Sequence, residues 1–157
     1  MATTTSIKNV YGTAQTVIDT AVDIPTLEFS VNTAIFTNTD TVVPDALYAN
    51  AMLEVPDWGA APLATALLTL WGLLQDVDGT DDDTDPPSGT SSGGAIFFGT
   101  WPIAAVDSLQ RRTMVISLNG VRACKFYVQN GSAQNINNDG GTNMILKITP
   151  FSPSVTI

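Results

Sequence analysis

"LATALLTLWGLL", residues 63 to 74, reads two ways, and the choice sets the fold class. Leu63, Leu67, Leu70, Trp71 and Leu74 recur at helical spacing. The same stretch alternates as Ala64, Ala66, Leu68 and Leu70, the two-residue period of a strand. Periodicity alone does not decide. Thr65, Thr69, Trp71 and Gly72 suit a sheet better than a helix, so the strand is the favoured reading. If it is a helix, it is the only substantial one in the chain.

The flanking sequence points the same way. Immediately upstream, "ALYANAMLEV" (46–55) alternates cleanly at Leu47, Ala49, Ala51, Leu53 and Val55. Further upstream lie "TAQTVIDTAVDI" (13–24) and "LEFSVNTAIF" (27–36), the second alternating at Leu27, Phe29 and Val31. Downstream follow "AIFFGTWPI" (95–103), "RRTMVISL" (111–118), "ACKFYVQN" (123–130) and "NMILKITPF" (143–151). Turn-rich stretches such as "NTDTVVPD", "DWGAAP" and "NGVR" separate them. About eight short strands at this spacing predict an all-β fold, an antiparallel β-sandwich or barrel. The chain of 157 residues has the length of one domain and buries a real core. The expected layout is a polar, Thr-rich N-terminal arm over residues 1–12 and a single domain over 13–157, with an acidic loop at 76–94.

Composition excludes several functions. The chain is 44% hydrophobic and only 13% charged, the reverse of a disordered sequence. Its net charge of -9 argues against contact with a nucleic-acid backbone and with an anionic membrane surface. The charge is uneven: five of the six bases (Arg111, Arg112, Arg122, Lys125, Lys147) follow residue 110, while acids crowd into 40–85. Such polarity suits solubility first and head-to-side packing in an assembly second. Histidine is absent, which removes Ser-His-Asp and Cys-His nucleophiles and His-ligated zinc. The single Cys124 forms no intramolecular disulfide and sits in an apolar strand pattern, as a small buried hydrophobe would. "MATTTSIKNVYG" lacks the regions of a signal peptide, and "AAPLATALLTLWGLL" is too short and too interrupted to span a membrane. Synthesis in a cytoplasm is expected.

Four constellations carry possible chemistry. "DVDGTDDDTD" (76–85) holds six aspartates, and calcium takes six to eight oxygens. The order departs from an EF-hand, because Gly79 is fourth counting from Asp76 and Pro87 stands twelfth. A solvated connection is the favoured reading. If a cation binds, Asp76, Asp78, Asp81 and Asp83 are the ligand set. No other cofactor is expected. Paired-carboxylate chemistry needs a desolvated acid, and this Gly/Ser/Pro-rich loop is wet, so no enzyme is expected. Trp58, Trp71 and Trp101, with Tyr11, Tyr48 and Tyr127, could build a sugar platform, and Trp58, in the turn "PDWGAAP", is the aromatic expected to be exposed; core packing is the commoner role. Arg111 and Arg112 open a strand and would either face water or pair with an acidic patch on a neighbouring subunit.

From residue 46 the order of features resembles a known family. "ALYANAMLEV" leads into "LATALLTLWGLLQDVDGT", then "FFGTWPI", "RRTMVISLNG", "CKFYVQNGSAQ" and a closing "NMILKITPFS". This sequence of motifs, over residues 46–152, resembles the head decoration (cement) proteins of tailed bacteriophages and related small virion proteins. The loop at 78–94 is longer and more acidic than their short "DGT" turn. The resemblance implies a jelly-roll-like β-sandwich with a structural role and no catalysis. Such proteins bind the outer face of the capsid, often as trimers, and clamp neighbouring copies of the major capsid protein. An interface of that kind needs apolar anchors, and Val10, Tyr11, Trp58 and Phe151 are the candidates, with the N-terminal arm ordered on a neighbour. The alternative expectation is a tail- or fibre-associated sandwich that binds host-surface carbohydrate.

Overall fold

Residues 67–75 are extended, and the reason is visible in their packing. Leu68 and Leu70 point into the core, while Thr69 and Trp71 lie on the opposite face. Gly72 is required by contact: a Cβ there would stand 2.5 Å from the Phe98 ring and 2.6 Å from the Cys124 sulfur. The structure, a computed structural model, describes residues 6–75, 86–137 and 142–156.

Nine strands form two antiparallel sheets, and no helix occurs among the described residues. The strands are β1 (Ser6–Tyr11), β2 (Gln15–Thr20), β3 (Phe36–Thr37), β4 (Tyr48–Val55), β5 (Leu67–Gln75), β6 (Ile96–Pro102), β7 (Gln110–Ser117), β8 (Ala123–Asn130) and β9 (Met144–Thr156). Sheet one runs β1-β9-β4-β7, with β2 also on β9; sheet two runs β3-β8-β5-β6. The expected all-β antiparallel sandwich is the fold. Its pairings nest: β5·β6 lies inside β4·β7, inside β3·β8, inside β2·β9.

The core lies between the sheets. Ala49, Ala51, Leu53 and Val55 face Leu68, Leu70, Phe126 and Val128, with Leu146 and Ile148 alongside. Each large apolar side chain so buried contributes about 1.5–3 kcal/mol. Phe126 sits between Phe36 and Phe98, at ring-centroid distances of 5.9 and 5.2 Å.

Two elements differ from the sequence reading. Of the strand expected over 27–36, only Phe36 enters a ladder, as the start of β3, while Phe29 meets β8 in an isolated bridge to Gln129. Leu27 takes a left-handed φ of 68°, and the Asn32 amide nitrogen donates to the carbonyls of Val17, Ala34 and Phe126, standing in for ladder bonds. The second difference is the arm. Its residues 6–11 are β1, an edge strand paired from Tyr11↔Phe151 to Ser6↔Thr156. β4 reaches along β9 only to Tyr48↔Phe151. Beyond Phe151, β1 and β9 therefore continue as a two-stranded ribbon, roughly 17 Å long at about 3.3 Å per residue, with no third strand among the described residues.

Candidate functional site

Two surfaces stand out, one on each sheet. The first is the ribbon and its root. The register places Tyr11, Phe151 and Tyr48 side by side across three strands. Their rings form a row, with centroids 5.4 Å apart for Tyr11–Phe151 and 5.7 Å for Tyr48–Phe151. Phe151 is the covered middle of the row, only 8% exposed, and the two tyrosines flank it half-exposed. Along the ribbon Val10 is partly open, and Ile7 is 72% exposed. Ile7 escaped the sequence reading because it stands alone in a polar stretch.

The ribbon is anchored where β1 turns into β2. Gly12 N–H donates to the Pro150 carbonyl at 2.9 Å. The Asp40 carboxylate accepts from the amides of Thr13 (2.7 Å), Val42 (2.7 Å) and Val43 (3.1 Å). These bonds, Thr13's foremost, lower its pKa to about 2. Gly12 is needed for the close approach, since a Cβ there would lie 2.8 Å from Asp40 Cγ.

The arginines have partners inside the chain. Arg111 lies opposite Glu54 in the β4–β7 register and meets its carboxylate at 2.9 Å. Arg112 donates from Nε to the Pro102 carbonyl at 2.9 Å and from Nη2 to Gln110 Oε1 at 2.9 Å. It thereby fastens the β6–β7 connection.

Trp58 corrects the sequence reading. It is 2% exposed and belongs to the core, where its backbone bridges to Ile136. A turn position suggested exposure, but the large ring folds inward over the sandwich and is not available to a partner. Its amide donates to Asp57 Oδ1 (2.7 Å) and Asp107 Oδ1 (3.3 Å). A hydrogen bond with Asp57, then burial and the neighbouring charge, push the Asp107 pKa up.

The second surface is the outer face of sheet two. A groove of about 520 Å³ has Lys125 and Tyr127 of β8 as its floor. One wall is Glu28–Asn32, the other Pro87–Gly89. Beside it an aromatic row crosses the sheet: Phe29 to Trp71 at 6.4 Å, and Trp71 to Phe97 at 5.8 Å. Trp71 Nε1 donates to Gln129 Oε1 at 3.1 Å, which fixes the indole. Phe97 is 59% exposed. Trp71 and Tyr127 were among the aromatics the sequence offered for a sugar platform, but the groove itself was not legible, because it joins segments roughly 60 and 40 residues apart.

Asp76, Asp78, Asp81 and Asp83 lie outside the described residues. Among the described residues, no group of three or more His, Cys, Asp or Glu side chains is placed to hold a metal ion. Cys124 is buried, and that burial pushes its thiol pKa up to about 12, so it is not a nucleophile at neutral pH.

No protein-family model, curated protein or solved structure matches this chain.

Proposed function

We propose that the protein is a structural component of a virion, a decoration protein that binds the outer surface of a phage capsid and cements neighbouring copies of the major capsid protein. The observation that carries this reading is the β1–β9 ribbon. It offers two open strand edges and an apolar root beside Tyr11, Phe151 and Tyr48. An isolated two-stranded ribbon is marginal in water, so covering it on a partner is favourable. Strand addition also satisfies its open backbone groups. The nested strand pairing is that of one long hairpin rolled into two sheets, which supports a jelly-roll assignment. The net charge of -9 points away from nucleic acid and towards a protein partner.

In this role the protein is a homo-oligomer, a trimer at lattice positions of local three-fold symmetry, and performs no catalysis. Parting two capsid subunits then also breaks cement contacts. Particles lacking the protein are expected to release DNA at a lower temperature than complete ones. Identical release temperatures for the two particles would refute the role.

A further inference from the structure

We propose that the groove on the outer face of sheet two is a binding site for a neutral oligosaccharide. This inference stands on a different face from the ribbon and does not depend on the capsid reading. A volume of about 520 Å³ lies within the range of small-molecule sites, roughly 300–1,000 Å³. Its lining is mixed, with two rings among polar groups: the largely buried Tyr127 on the floor, Phe29 on a wall, and Glu28, Lys125 and Ser88 around them. Sugars present an apolar C–H face and a rim of hydroxyls, and such a lining matches both.

The surroundings select the ligand class. A peptide adding as a strand would need an open backbone edge on β8. That edge is already occupied: Ser30 N–H donates to the Val128 carbonyl, Asn130 N–H to the Glu28 carbonyl, and the Asn32 amide to the Phe126 carbonyl. Recognition here must therefore run through side chains. The row Phe29–Trp71–Phe97 extends the platform from the groove across the sheet, so a chain of sugar units is accommodated better than a single one. The net charge of -9 disfavours an acidic polysaccharide.

The test is retardation of the full-length protein in native gels cast with a mannan, a β-glucan, a galactomannan or alginate. Trp58 and Trp101 are buried, so a change in tryptophan emission on binding reports Trp71. Retardation by at least one neutral polysaccharide is expected, with Phe97→Ala and Glu28→Gln each weakening it by about tenfold. Phe97 and Glu28 are exposed, so both variants keep the fold, which their melting temperatures verify. Val115→Thr, on the other sheet, leaves retardation unchanged. The proposal is overturned if no neutral polysaccharide retards the protein, if alginate does so equally, or if both groove variants bind as the parent does.

Discussion

Sheet one carries its free surface at an edge, whereas sheet two carries it on a face. Past Phe151, β1 and β9 run on without a third strand among the described residues, so, apart from Pro153, which has no N–H, their outward backbone groups remain open to a partner. In sheet two the edges are blunted. β3 has only two residues, segment 27–30 covers more of β8, and β6 ends in Pro102 with a register shift opposite Leu70 and Trp71. These are the devices by which natural sheets prevent strand addition. What sheet two exposes instead is a row of packed rings, with Trp71 at its centre fixed by its bond to Gln129. The difference separates two modes of recognition: backbone pairing with another protein at the ribbon, and side-chain contact with a small ligand at the groove.

Both surfaces rest on one core, and breaking that core removes the comparison altogether. Phe126→Ala is expected to cost about 3–5 kcal/mol in urea unfolding, because the ring packs against Phe36 and Phe98. Gly72→Ala acts on sheet two more locally. Its Cβ meets Phe98 and Cys124, and overpacking of this kind costs about 1–3 kcal/mol. Relative to the parent, hydrogen exchange is expected to speed up in β5 and β6 and to stay unchanged in β1 and β9.

Asp40 sharpens the other side. Asp40→Ala removes the acceptor of three amides at the root of the ribbon. The amides of β1 are expected to exchange faster, with those of β5 and β8 unchanged. The pH dependence has a definite sign. The folded pKa is about 2 against an ordinary value of 3.8, so this stabilisation is present above 3.8 and is lost as pH falls through about 2. The melting difference between the parent and Asp40→Asn should therefore shrink over that window. The smallest effect is expected at Arg111. Arg111 is exposed and its partner Glu54 partly covered, and such a pair contributes about 1 kcal/mol, so Arg111→Ala should move the midpoint little and leave both surfaces intact.

The sandwich was legible because its signal is local. In β4 the alternation of Ala49, Ala51, Leu53 and Val55 maps onto one buried face, and β5 followed once Thr69, Trp71 and Gly72 were weighed against helical spacing. The alternation at Leu27, Phe29 and Val31 held only in part: Leu27 and Val31 are exposed, 27–30 still bonds β8 through its backbone around the Phe29↔Gln129 bridge, and beyond it the Asn32 side chain takes over. Residues 6–11 looked like an arm because nothing local marks them as a strand; only pairing with the far end of β9, more than a hundred residues away, does so. Trp58 was misplaced for a related reason: a turn sequence fixes the backbone's path and not the side of the sheet to which the ring folds. Tyr11 and Phe151 were both picked out, but their adjacency, and the cover this gives Phe151, is a property of register.

The central claim is that the ribbon docks on a capsid. Its most direct test is co-sedimentation of the purified protein with assembled capsids, comparing the full chain, a chain beginning at Thr13, and the full-length variant Val10→Pro. Saturable binding of the full chain in proportion to lattice positions, lost in both altered proteins while their sandwich still melts cooperatively, is the predicted result. Equal binding by the chain beginning at Thr13, or no binding by the full chain, would contradict it.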